Sequence, residues 1–260
     1  MSETGGILTR DNGATIAYRG HPGKNPGVLF VHGLRSDMNG TKALALEAAC
    51  RAEGRAFLCF DLSGHGRSSG DFIDFGISDW RADLVLVLDR LTSGPQILVG
   101  SSLGGWLMLL AALERPRRVA ALLGLAAAPD FTEDLVARRL SAAQARHLSE
   151  QGEIEIEDCY GGAPYALSRQ LIEDGRNNLV LPDKIALSCP VILLQGQADP
   201  DVPWSTALRL AQQLQSPDVR VVLLKSAGHR LSEPSALRLM LSSLQDLITL
   251  SAEDHSDGAR

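Results

Sequence analysis

Hydrophobic positions fall along this chain in two alternating textures. One is the short unbroken apolar run, at residues 27–31, 56–60, 97–99, 119–125 and 190–194, with 219–224 interrupted only by Arg220. A strand with one wet face alternates apolar and polar residues, so unbroken runs predict strands covered on both faces. The other texture is longer, with apolar residues recurring every three or four positions. It occupies 41–51, 77–91, the stretch from Ser102 to Pro116, 203–214 and 234–250, and predicts helices. Ser78 is read as the cap of the second helix, and Pro116 as the stop of the third. Ahead of the first run, residues 7–10 and 14–19 flank Asp11-Asn12-Gly13, a hairpin signal. Strand and helix then alternate, which predicts an α/β fold: a mainly parallel sheet with helices on both faces and an antiparallel hairpin at its start.

Residues 130–181 break that rhythm. In FTEDLVARRLSAAQARHLSE the apolar positions are diluted with charge, Ile154-Glu155-Ile156-Glu157 alternates like an exposed strand, and 165–174 reads as helix. The pattern predicts a cap inserted over the sheet of a single domain spanning 1–250. The last ten residues, SAEDHSDGAR, are polar and contain glycine, and are expected to form a disordered tail over 251–260.

Composition narrows the partners. A net charge of -6 argues against nucleic acid or an anionic membrane as the main one. No apolar stretch reaches the length of an integral membrane segment. MSETGG, the first six residues, has neither the basic nor the apolar region of a secretory signal. Cys50, Cys59, Cys159 and Cys189 form no C-x-x-C pair. Three of them, Cys50, Cys59 and Cys189, sit in or beside apolar runs, as buried reduced thiols do. A cytoplasmic location is expected.

A parallel sheet places its chemistry at the carboxyl ends of its strands. Those ends carry His32-Gly33-Leu34, Asp61, Ser102, Gly196-Gln197-Ala198-Asp199 and Gly228-His229. Gly100-Ser101-Ser102-Leu103-Gly104, between a strand and a helix, is the layout of a nucleophile elbow. A second match, Gly66-Arg67-Ser68-Ser69-Gly70, leads into Asp71-Phe72-Ile73-Asp74-Phe75-Gly76 instead of a helix. It therefore reads as a structural loop, neither an elbow nor a dinucleotide-binding turn. Serine, aspartate and histidine in that chain order are the arrangement of the α/β-hydrolase fold.

Each type has a task. A serine hydroxyl needs a base, the role of His229, and Asp199 would hold that imidazole in the right tautomer. The backbone N–H groups of Leu34 and Leu103 would receive the oxyanion. Asp201 is the alternative acid, but Asp199 lies nearer the strand end. His32 and His65, in glycine turns, are read as bonding loop backbone, His147 and His255 as solvated, and Trp106 as core. No cluster has metal-ligand spacing, and this chemistry calls for no metal and no cofactor.

The stretches GPQILVGSSLGGWLML (94–109), MNGTKALALE (38–47), DVPW (201–204) and GHR (228–230) carry a resemblance over nearly the whole chain. It is similar to the mitochondrial α/β-hydrolase-domain family of acyl-protein (palmitoyl) thioesterases, described also as acyl-glucuronide esterases. The resemblance implies an ester or thioester hydrolase acting on a small-molecule or S-acyl protein substrate, its nucleophile at Ser102, acid at Asp199 and base at His229. Without a transit peptide, the chain is expected to be a bacterial relative. Two alternatives stand beside this: a general short-chain carboxylesterase, and a non-catalytic binding protein of the same fold.

Overall fold

In the computed structural model, residues 4–157 and 163–257 are described. The chain runs through β1 (Thr4–Thr9), β2 (Thr15–His21), β3 (Lys24–Val31), α1 (Thr41–Ala52), β4 (Arg55–Phe60), α2 (Ile77–Leu91), β5 (Gln96–Ser101), α3 (Leu103–Glu114) and β6 (Val119–Leu125). The insertion follows: α4 (Phe131–Arg138), α5 (Ala142–Gln151), β7 (Glu153–Ile156), β8 (Tyr165–Ser168) and α6 (Arg169–Arg176). The rhythm then resumes with β9 (Val191–Gly196), α7 (Trp204–Gln213), β10 (Val219–Leu224) and α8 (Pro234–Asp257).

Eight strands form one sheet in the order β1-β2-β4-β3-β5-β6-β9-β10. The hairpin and its junction with β4 are antiparallel, and all later pairings are parallel. Neighbouring residues on each strand point to opposite faces, and both faces are covered. Leu29, Val31, Leu98, Leu122 and Leu193 pack into one core with α2, α3 and α7. Val28, Phe30, Ile97, Val99, Leu123 and Ile192 pack into the other, with α1 and α8. This two-sided burial is why those strands are written as unbroken apolar runs. Cys50 and Cys59 are buried and Cys189 half-buried, all three as free thiols; Cys159 lies outside the described residues. Burial pushes the Cys50 thiol up to about 12. No described helix is long and apolar enough to cross a membrane.

Three expectations need correction. Ser78 is not the cap of α2; Gly76 is, and its N–H donates to Asp79 at 3.0 Å. Ser78 lies inside the first turn, where its N–H and hydroxyl both donate to Asp174 of α6, at 2.7 and 2.6 Å. Beside its own Asp79, the start of α2 thus receives a second anionic side chain from a distant segment. Residues 165–174 do not form one helix either. Tyr165–Ser168 pairs with Glu153–Ile156 as an antiparallel two-stranded sheet, and Ser168 then caps α6 by accepting from the Leu171 N–H at 3.1 Å. Finally, the polar tail continues α8 as helix to Asp257, with Ser251 buried and its hydroxyl donating to the Leu247 carbonyl. Residues 258–260 of the expected tail lie outside the described residues.

Candidate active site

The turn between β5 and α3 holds Ser102 at φ 52° and ψ -117°. A non-glycine residue with positive φ is strained, and persists only where its surroundings over-determine it. Here the Ser102 N–H donates to Leu125 at 2.9 Å, while its carbonyl accepts from Gly105 at 2.8 Å and Ala128 at 3.1 Å. Crowding explains the flanking glycines. A Cβ at position 100 would run into the Gly104 carbonyl, and one at 104 into the Val31 and His32 carbonyls. Gly33 lets the loop after β3 come equally close, since a Cβ there would stand 3.1 Å from that of Ser102.

Two further strand ends converge on this serine. His229, from the turn after β10, sets Nε2 3.0 Å from Ser102 Oγ and Nδ1 2.8 Å from Asp199 Oδ2. Asp199, just past β9, is fully buried at its side chain. Its Oδ1 accepts from the N–H groups of Asp201 and Val202, at 2.8 and 2.9 Å, and its Oδ2 also accepts from Gln195 Nε2 at 2.8 Å. Burial acts to raise the Asp199 carboxyl, but the hydrogen bond and charge of His229 and the two N–H groups outweigh it, holding the carboxyl below its ordinary value. An anionic Asp199 requires Nδ1 of His229 to carry the proton, which leaves Nε2 as an acceptor facing the serine hydroxyl.

Asp201, the alternative acid, lies close by but pairs with Arg139 at 2.9 Å, and it is Asp199 that bonds the imidazole. The Leu103 N–H begins α3, where helix N–H groups lack internal partners. Leu34 and Leu103 line one cavity of about 700 Å³ with Ser102 and His229. From the insertion, Phe131, Leu135, Tyr165 and Leu167 line it as well.

Most of the other polar groups that the sequence singles out have structural partners. Ser68 donates to the Asp61 carbonyl at 2.6 Å and accepts from the Ala17 N–H at 2.9 Å, so it ties a loop to the sheet. The Asp61 carboxylate takes the N–H groups of Met38 and Arg67, at 2.7 and 2.8 Å. Trp106 is buried, with Nε1 donating to Asn178 at 3.0 Å. His147 is exposed on α5, and the His255 side chain lies outside the described residues. His32 and His65 bond loop backbone, His32 to Gly33 and Leu62, His65 to Ser63 and Arg35. Among the described residues, one group of possible metal ligands comes together, Asp199, Asp201 and His229. The facing atoms of Asp199 and His229 are already bonded to each other.

Sequence reasoning did not find Gln195, Arg35, Arg139 or Tyr165. Gln195 had a signal, a polar residue inside an otherwise apolar strand. The Arg35 guanidinium lies 4.4 Å over the Tyr165 ring, a pairing of residues far apart in the chain that no local pattern announces.

A serine on a strand–helix elbow, with an acid and a histidine at later strand ends of one parallel sheet, defines a hydrolase fold. Residues 28–238 match the alpha/beta hydrolase family, and the chain belongs to it. Among curated proteins it is 40% identical to the mitochondrial palmitoyl-protein thioesterase ABHD10 of Rattus norvegicus over 243 residues, which are 93% of this chain and 82% of that one. The solved structure of alpha/beta hydrolase domain-containing protein 10 from mouse superposes with a TM-score of 0.87 at 39% identity, covering 95% of this chain and 98% of that one. A crystal structure from Agrobacterium vitis S4 gives 0.91 at 36% identity, covering 95% and 100%.

Proposed function

We propose that this chain is a serine hydrolase cleaving acyl thioesters or carboxylic esters through an acyl-Ser102 intermediate. The observation that carries the reading is the unbroken hydrogen-bonded chain from Ser102 and His229, which line the cavity, to the buried Asp199 behind them. His229 Nε2 takes the hydroxyl proton as Ser102 Oγ attacks the acyl carbonyl, and Asp199 stabilises the imidazolium that forms. The Leu34 and Leu103 N–H groups receive the oxyanion; losing one such donor costs about 3 kcal/mol in the barrier. His229 then protonates the departing thiolate or alkoxide, and in the second half removes a proton from the water that deacylates Ser102. No metal or cofactor takes part.

The insertion acts as a cap over the acyl site, through Phe131, Leu135 and Leu167 on its inner side. Relatives named palmitoyl-protein thioesterases, at close to 40% identity, support S-acyl protein or long-chain acyl thioester substrates. The free cysteines fit a reducing compartment, and the cytoplasm is the one we propose, although the named relatives are mitochondrial.

A fluorophosphonate probe should label the protein, and Ser102→Ala should abolish both labelling and turnover. Labelling that survives the substitution removes Ser102 from the mechanism. A kcat/KM series over acyl thioesters, matched oxygen esters and an acyl-glucuronide tests the substrate. Preference for short oxygen esters would replace the depalmitoylating reading with that of a general carboxylesterase.

A further inference from the structure

The loop Gly64–Gly70, which supplies no reacting group, reaches the segment that carries Leu34 through the side chain of His65. His65 stands beside His32, their ring centroids 5.1 Å apart, and both are buried. Their tautomers follow from their partners. The Leu62 N–H can only donate, so the His32 Nε2 that it meets at 3.1 Å is unprotonated. The proton is therefore on His32 Nδ1, which donates to the Gly33 carbonyl at 2.8 Å. In the same way the Arg35 N–H, 3.2 Å from His65 Nε2, leaves the proton on Nδ1, which donates to the Ser63 carbonyl at 3.1 Å. Burial lowers both imidazoles to about 4, so both are neutral at physiological pH.

These bonds fall on either side of Leu34. The Gly33 carbonyl and the Leu34 N–H belong to one planar peptide unit, so holding the oxygen also sets the direction of the N–H. The Arg35 N–H belongs to the next unit. Arg35 itself is held at φ 55°, a conformation a non-glycine residue adopts only under constraint. No carbonyl among the described residues accepts from the Leu34 N–H, which leaves it available to a substrate oxygen. His65 is in turn wedged edge-on against Phe72 and Trp80, at 5.3 and 5.4 Å.

We infer that His32 and His65 are positioning residues that hold the Leu34 peptide from both sides, His32 as a donor and His65 as an acceptor, so that its N–H faces the oxyanion. This rests on the acyl-Ser102 reading, in which Leu34 supplies one of the two N–H groups. The two histidines do opposite jobs, and that opposition makes the assignment testable. Asparagine places its amide nitrogen where Nδ1 of histidine lies, and glutamine can place an acceptor oxygen near Nε2.

At position 65, His65→Asn keeps the bond to Ser63 but loses the acceptor for Arg35. Its kcat should fall between tenfold and a few hundredfold with KM within about twofold, and His65→Gln should recover most of the loss. At position 32 the order reverses: His32→Asn retains the donor to Gly33, and His32→Gln loses kcat. Affinity for an arylboronic acid, which forms a tetrahedral adduct on the serine, should fall in step with kcat. Thermal melting of all four variants identifies any that do not fold, and the pair at the other position then carries the test.

Crossed preferences support the inference. The same preference at both positions, or kcat within twofold of wild type in His65→Asn and His32→Gln, overturns it. Ser102→Ala separates the two levels of argument. If it is inactive and the crossing is absent, only the positioning role fails; if it still turns over substrate, the serine mechanism fails with it.

Discussion

At the scale of single residues, two aspartates two positions apart have unlike surroundings, and this gives a direct prediction. Asp199 faces the imidazole while Asp201 faces Arg139. Asp199→Asn should lower kcat by roughly 10⁴ by favouring the wrong histidine tautomer. Asp201→Asn, which keeps its backbone bond to the Asp199 carboxylate, should lose less than about tenfold. Steady-state kinetics on any turned-over ester decides it, and equal losses would mean that the acid has been misassigned. The residues read as reacting were legible because a serine, an aspartate and a histidine each follow an apolar run. Gln195, which helps to fix the Asp199 carboxylate, was passed over because the apolar run that marks its strand stops at Leu194, one residue before it.

At the scale of elements, the strands and helices of the sheet were legible and the insertion less so. A run covered on both faces states its own burial. The short strands and helices of the insertion are defined by partners elsewhere: Tyr165 is strand because Ile156 pairs with it, and the first turn of α2 is closed by Asp174, 96 residues away from Ser78. The same long-range character links this segment to the loop carrying Leu34, through Arg35 over Tyr165. Such a contact is worth about 0.5–1 kcal/mol at a partly exposed site. Tyr165→Ala should therefore raise KM for long acyl substrates about two- to fivefold, and Tyr165→Phe, which keeps the ring, should not. A KM unchanged in Tyr165→Ala would show that this link does not shape the acyl site.

At the scale of the molecule, the fold class was readable from alternation alone, but the balance of its buried charges was not. Asp83, on α2, has no exposed side-chain surface, pairs with Arg10 at 2.8 Å and accepts from the Ser63 N–H at 2.8 Å. Burial is the strongest influence on it and pushes its carboxyl up to about 6, against the pull of Ser63 and Arg10. The folded chain thus holds this proton more tightly than the unfolded chain does. The contribution of Asp83 to stability is complete below about pH 4 and is lost as the pH rises through about 6. Denaturant titrations of wild type and Asp83→Asn at pH 4 and pH 7 should differ by up to about 3 kcal/mol in the variant's favour at the higher pH. A difference that does not change with pH would place the proton elsewhere.

The hydrogen bond between His229 and Ser102 joins residues 127 positions apart. The elbow needs only β3, β5, α3 and β6 with the turn after it, all within the first half of the chain, but its serine has no base until β10 and the turn after it have joined the far side of the sheet. During synthesis, when the amino-terminal part emerges first, the chain therefore carries an unarmed hydroxyl for most of its assembly. On the proposed mechanism, reactivity arrives only with β10 and the turn after it, so a molecule that can accept an acyl group is one whose sheet is already complete.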